Sequence, residues 1–484
     1  MTVAIVLILY FAVLMAVSRF AGRGGNDAFF RGNRRSPWPV VALGMIGASL
    51  SGVTFVSVPG MVLHGDMTYL QMVMGFFFGY LIVAFVLVPL YYRYNLTSIY
   101  GYLADRFGPV SRKTGAWFFI LSKLTGAAAR LYLVCLLLEM FLFADLGVPY
   151  WAVAVGTLAL IWLYTRRSGV RTLVWTDALQ TVCLLAALVL ILIEVSNMAG
   201  SDLGGALRAV WDDPHSRVFE WDWHSPRHFL KQFLSGIFIV VVMTGLDQDM
   251  MQKNLTCRNL RDARKNLCSY GAMFLPVNFL FLALGVILIF LYAQRGMPLP
   301  EAGDSLLPGF IGSAGVGEVV LVCFAMGIVA SAFSSADSAT TSLTTSFCVD
   351  ILGIERPGSR YAARPERTRK LVHLGMTLLF VAFILGFRAI GSTSVIDAIY
   401  VIAGYTYGPL LGLFAFGMTT RRRVRERWVP LIAVASPLLC YALDSLTLAR
   451  FGYKFGYELL LLNALLTYLA LLLTSTRKAS KLNP

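Results

Sequence analysis

Ten hydroxyl side chains fall within the sixteen residues from Ser331 to Ser346 (SAFSSADSATTSLTTS), inside a long apolar stretch. Ser331, Ser334, Ser335 and Ser338 stand at i, i+3, i+4 and i+7, so a helix places them on one face. In hydrocarbon such a stripe has to bond something. Clustered hydroxyls beside backbone carbonyls give a neutral oxygen set suited to a small hard cation, which we read as sodium. The competing reading is structural, with each hydroxyl bonding the carbonyl four residues back. A second stretch offers a partner: the run from Gly44 to Gly52 (GMIGASLSG) crowds three glycines and two serines into mid-span. An unwound helix there would free carbonyls for an ion.

Charged residues also lie where hydrocarbon is expected. Asp177 stands near the start of the apolar stretch 172–195. A lone carboxylate there costs several kcal/mol unless protonated or paired, so it is a functional candidate, with an inert Lys or Arg partner as the alternative. Lys123 and Arg130 are seven residues apart on one face of the stretch 113–144. Lys123, near one end, can snorkel to the interface; Arg130, at mid-span, cannot and needs an anion. Glu139, Asp177 and a carboxylate-bearing solute are the three candidates, because guanidinium meets carboxylate as a fork.

Such residues require a scaffold of helices in lipid. The 484-residue chain is 57% hydrophobic and 14% charged, with a mean hydropathy of +0.70, the composition of an all-α polytopic membrane protein. Thirteen stretches are long enough to span: 2–18, 37–63, 67–92, 113–144, 149–165, 172–195, 229–252, 269–292, 316–349, 371–387, 394–419, 428–446 and 456–475. The break in the second stretch has a counterpart five spans on, where Gly236 and Gly245 precede Asp247 and Gln248. That spacing suits an inverted repeat with the solute at the crossing. A single transporter domain, 1–484, follows: an extra first helix and basic loop (1–36), a first repeat (37–195), a second (229–419) and two terminal helices (428–475).

The net charge of +15 does not point to nucleic acid, because 31 of the 41 Lys and Arg residues sit in alternate connecting loops. That bias puts those loops in the cytoplasm, with the N-terminus outside and the C-terminus cytoplasmic, in the cell's inner (plasma) membrane. Only Met1 and Thr2 precede the first stretch, without a basic region or cleavage site, so it is expected to be a retained helix. Six of the seven cysteines lie in spans and Cys257 lies in a loop, without metal-like spacing, and all are expected to be reduced. The outer stretch 196–228, rich in Trp, Asp and His, is expected to form a partial lid. The basic stretch 350–370, broken by Pro357 and Pro365, is expected to be a solvated loop facing lipid.

Four segments carry a family resemblance: GASLSGVTFVSVPGM at 47–61, GVRTLVWTDALQ at 169–180, GLDQDMMQKNL at 245–255 and SAFSSADSATTSLTTSFCVDI at 331–351. A weaker fifth is AGYTYGPLLG at 403–412. In their order and spacing the chain resembles the sodium:solute symporters, the family of the sodium/glucose, sodium/proline and bacterial sialic acid transporters. The resemblance covers essentially the whole chain. It implies a LeuT-type 5+5 inverted repeat with about 13 transmembrane helices, working by alternating access with one or two Na+ ions.

Carried over residue by residue, the resemblance implies a sodium site formed by the backbone carbonyls of Gly47, Leu50 and Ser331 and the hydroxyls of Ser334 and Ser335. Asp177 would face those hydroxyls and help hold a second sodium. An arginine on the helix of Arg130 binds the carboxylate in the sialic acid branch. Ser49, Ser51 and Thr54 match substrate-facing positions, and Gln71 is a looser match. The sugar branch has polar or charged residues where Val53 and Thr54 stand, which weakens a hexose reading. Asp247, Gln248 and Gln252 match a DQ and Q signature expected to stabilise the inner gate by hydrogen bonds. Phe55, Tyr69, Tyr405 and Tyr407 are candidate gates, with packing as the alternative.

A carboxylate-bearing, sialic acid-like solute is therefore the leading candidate. A neutral sugar, polyol or amino acid is the alternative, as is a transporter-like sensor without its own output domain. No catalytic constellation supports an enzyme. Beyond the solute and the lipid bilayer, no obligate protein partner is evident.

Overall fold

Inside lipid, every backbone N–H and C=O has to be satisfied within the segment, which leaves these stretches the helix. The computed structural model describes residues 2–20, 25–143, 146–166, 169–313, 315–356, 358–390 and 395–476. Residues 391–394, within the eleventh predicted stretch and its approach, and the basic tail 477–481 lie outside the described residues. Among the described residues the only strand-like pairings are two isolated bridges.

Helices fall at every predicted stretch: α1 (Thr2–Phe20), α2 (Trp38–Ser49) and α3 (Gly52–Gly60), α4 (Tyr69–Ile82), α5 (Pro109–Leu142), α6 (Tyr150–Thr165), α7 (Val170–Met198), α8 (Phe229–Val240) and α9 (Gln248–Asn254), α10 (Leu260–Gln294), α11 (Glu318–Ser346), α12 (Pro365–Ile390), α13 (Val395–Thr419), α14 (Val429–Phe451) and α15 (Leu459–Thr474). By length and apolarity alone, eight described helices can cross a membrane, or nine with α8 and α9 as one bent span. Four further apolar helices, in α1, α2, α6 and α15, are shorter than that test requires, so eight or nine spans stand against the expected thirteen.

Two interruptions organise the bundle. At the end of α2, Leu50 (φ −80°, ψ 77°) and Ser51 (φ −73°, ψ 170°) leave the helix before α3 resumes at Gly52. Gly47 is required there by close approach: a Cβ would collide with the Thr181 side chain, so its absence lets α7 lie against α2. The second interruption lies between α8 and α9. A π turn at Val241–Gly245 ends α8, and α9 leaves at 69°. Asp247 caps α9, accepting hydrogen bonds from the backbone N–H of Asp249 (2.8 Å) and Met250 (3.3 Å). Around these breaks α7 packs on both α2 and α11, α4 packs on α8 and α10, and α13 packs on α5 and α15.

The basic connectors share one face. Ser36 bridges to Cys257 and Arg423 to Thr476. Arg31 donates to Thr97 (2.8 Å), Arg106 to the carbonyls of Gly417 and Arg422 (both 3.1 Å), and Arg112 pairs with Asp350 at 2.7 Å. On the opposite face Arg217 pairs with Asp66 (3.0 Å) and His64 bonds the Glu301 carbonyl (2.9 Å). The stretch 196–228 lies there as a helix (Leu203–Asp212), a single turn (Pro214–Ser216) and extended chain, with Trp211, Trp221 and Trp223 exposed. Within 350–370, Arg369 departs from a solvated loop: it is buried, its guanidinium 4.5 Å from the ring centre of Phe29. All seven cysteines are free thiols, and burial pushes the Cys257 thiol up to about 12.

Candidate functional site

The hydroxyl stripe on α11 lies buried between α2 and α7, and its members divide by partner. Ser331 bonds back along its own helix to the Ile328 carbonyl (3.0 Å). Ser335 crosses to α2 and donates to the Ala48 carbonyl (3.3 Å). Ser334 and Ser338 cross to α7 and donate to the two carboxylate oxygens of Asp177, at 3.0 and 3.3 Å. The last turn of α2 has no helical N–H for its final carbonyls, Gly47 included, and Leu50 just beyond is fully buried. Uncharged oxygens from two helices thus meet at the first break, with a carboxylate one hydrogen bond behind them.

Both readings of Asp177 meet in one place: it faces the serines and it is paired with a lysine. The lysine is Lys253 on α9, whose Nζ lies 2.7 Å from Asp177 Oδ2 with both side chains buried. Lys253 opens the basic stretch 253–265, one of the connecting loops whose charges make up the sequence bias. It is instead buried on α9, where Gln252 beside it is held by the carbonyls of Phe29 (3.3 Å) and Phe30 (2.9 Å) and by Thr345 (3.0 Å). A second carboxylate, Asp337, is equally buried; Tyr164 donates to it at 2.6 Å and Ser338 at 3.3 Å. Its place in the sequence, three residues after Ser334 in the stripe, was a usable signal that went unread.

A cavity of about 100 Å³ opens beside this cluster where the broken helices cross. Ser49, Ser51 and Thr54 line it from α2, the break and α3, and Arg130 and Lys123 line it from α5. Tyr80, Tyr270 and Tyr407 add phenol rings that the sequence reading largely passed over. Ser49 bonds the Tyr270 hydroxyl, which also accepts from Tyr80 at 2.8 Å. Tyr407 donates to Asp247 Oδ2 at 2.5 Å.

The charges around this cavity settle unequally. Lys123 does not need to snorkel: it pairs with Asp249 (2.7 Å) and Asp247 (3.3 Å). Glu139 is taken by Arg388 at 2.7 Å, and Asp177 by Lys253. Arg130 lines the cavity half-buried, with neither an ion pair nor a hydrogen bond among the described residues.

Other candidates lie elsewhere. Gln71 does not line the cavity; it is fully buried and saturated by the carbonyls of Thr68 (3.2 Å) and Arg227 (3.0 Å) and the N–H of Glu220 (3.1 Å), which ties the long loop to α4. Gln248 likewise stitches α9 to the backbone of Thr97 and Ile99 (3.1 and 2.9 Å). Phe55 packs in the core against Phe281, at 5.4 Å between ring centres. Tyr69 lines a different cavity under the long loop, and Tyr405 lines neither.

A model of the sodium:solute symporter family matches residues 29–426. The chain is 28% identical over 438 residues to a sodium/sialic acid symporter of Aliivibrio fischeri, covering 86% of this chain and 83% of that one. It is 26% identical over 435 residues to the human sodium/iodide cotransporter, covering 84% and 65%. A solved structure of a substrate-bound, outward-open Na+-coupled sialic acid symporter shares the fold over 99% of both chains, with a TM-score of 0.82 at 21% identity. A closed nucleobase-cation-symport-1 transporter shares it more distantly, over 92% of this chain and 94% of that one, with a TM-score of 0.55 at 14% identity. The fold is therefore the LeuT type. With the family match spanning most of its length, this chain belongs to the sodium:solute symporter family and is a membrane symporter with Na+ as its coupling ion.

Proposed function

We propose that the solute carries a carboxylate and that Arg130 receives it. The observation that carries this reading is the unpaired guanidinium: the two protein carboxylates that the sequence offered to it, Glu139 and Asp177, are held by Arg388 and Lys253. A guanidinium at mid-span with no ion pair or hydrogen bond among the described residues has its fork free for a ligand, and the cavity is the ligand's place. Ser49, Ser51 and Thr54 supply hydroxyls for the rest of the solute, and Tyr407 lines the same cavity. Relatives named for sialic acid, iodide and monocarboxylates all move anions, which agrees with this choice. A sialic acid-like solute is the leading candidate.

Sodium binds first, between the carbonyls of Gly47, Leu50 and Ser331 and the hydroxyls of Ser334 and Ser335, and fixes the break between α2 and α3. A second ion at Asp177 would have to share the carboxylate with Lys253. The solute then completes the cavity and the repeats 37–195 and 229–419 rock around it. Each sodium entering contributes about 2.3 kcal/mol per 100 mV before its concentration gradient. The protein lies in the cell's plasma membrane with the interlocked basic face in the cytoplasm, the N-terminus outside and the C-terminus inside, in keeping with the charge bias of the connectors.

Uptake into proteoliposomes under an imposed sodium gradient tests the reading. Sialic acids and monocarboxylates should be accumulated or compete, proline and hexoses should not, and Arg130→Ala should abolish the difference. Equal uptake of neutral solutes by wild type and Arg130→Ala overturns it.

A further inference from the structure

Asp177 and Asp337 form a pair of buried carboxyl groups that flank one hydroxyl: Ser338 Oγ lies 3.3 Å from both Asp177 Oδ2 and Asp337 Oδ1, and its single proton serves one of them at a time. Each is fully buried. A carboxylate that is ionised in a membrane interior calls for a positive charge nearby, because an uncompensated buried ion is costly, and a carboxyl without one is held in its neutral form. One such positive charge is built into the chain. Lys253 is itself buried, and its only ion pair among the described residues is the 2.7 Å contact with Asp177. Asp249, one turn earlier on α9, is occupied by Lys123, and Gln252 anchors the turn that presents the lysine. Asp337 has hydrogen-bond donors, Tyr164 and Ser338, but no ion pair within 4 Å among the described residues, with Lys253 the cation that acts on it from further away.

We infer that Lys253 is the resident cation of this carboxylate pair, and that it fixes the coupling stoichiometry at one sodium per cycle. The ammonium satisfies one carboxylate permanently. The sodium held at Ser334 and Ser335 by uncharged oxygens lies one hydrogen bond from Asp177, whose charge the ammonium already occupies, so that carboxylate is not left to attract another ion. This rests on the sodium-site reading given above. It assigns Lys253 a positioning role in ion counting, with no contact to the solute.

Purified full-length protein in detergent, titrated with sodium against choline at constant ionic strength, reports the ion count through thermal stability without any solute. Wild type should show a Hill coefficient of one. Lys253→Gln should raise it towards two, with a several-fold higher half-saturating concentration, because a second sodium replaces the lost ammonium. Lys253→Arg should stay at one, and Lys253→Gln combined with Asp177→Asn should return to one because the extra negative charge is gone. A wild-type coefficient near two, or Lys253→Gln remaining at one, overturns the inference while leaving the sodium site intact. Should Lys253→Gln fail to fold, the wild-type value and the double variant decide by the same criteria. Absence of any sodium-dependent stabilisation in wild type overturns the sodium-site reading and this one with it.

Discussion

Ser334 shows how a single hydroxyl serves two purposes. It belongs to the proposed oxygen set and it donates to Asp177, so Ser334→Ala removes a ligand and leaves a buried carboxylate short of a donor. Sodium-stimulated uptake should be lost in that variant, measured as the difference between uptake in sodium and in choline. Arg130→Lys keeps the charge but not the fork; we expect a fall of about 10-fold to 100-fold in apparent affinity for carboxylated solutes, from losing about 1.5–3 kcal/mol of charge-assisted hydrogen bonding. Competition assays with graded solute check it. The stripe was legible because the helical period sorts serines onto one face. Lys253 was not, because chemistry that depends on a neighbour from a helix 76 residues away in sequence leaves no local pattern, and the basic run after it mimicked a loop.

Among the elements, the two broken helices carry the argument. Their positions were readable from glycine crowding in α2 and from the Asp247–Gln248 step after Gly245, since glycine and an N-cap residue are what such breaks need. Unreadable were the partners: nothing local says that α7 abuts Gly47 or that Gln71 turns away from the cavity towards the long loop. Gly47→Leu should destabilise the protein by about 3 kcal/mol or more through overpacking against Thr181. The control is Gly156→Ala on α6, where an added methyl meets nothing within 4 Å and no change is expected. Thermal unfolding followed by size-exclusion chromatography separates the two.

Across the whole molecule, the basic face is a lattice of connectors tied through Asp350, which accepts from Arg112 (2.7 Å), Ser98 (2.6 Å) and Ser346 (2.9 Å). Asp350→Asn should cost about 3 kcal/mol, the scale for breaking a buried ion pair. It should also expose Cys348, now fully buried, to a thiol reagent, and labelling rates read that opening. The overall plan, from composition to the sharing of one face by alternate loops, was open to a reader of the sequence because lipid permits so few arrangements. The orphan guanidinium of Arg130 has a consequence at this scale. A carrier that turned over with the cavity vacant would leave the Arg130 fork without its ligand, its charge offset only at a distance by Asp247 and Asp249, which share the single Lys123. On the proposed role of Arg130, turnover with sodium but without solute is expected to be slow, which limits passive discharge of the sodium gradient.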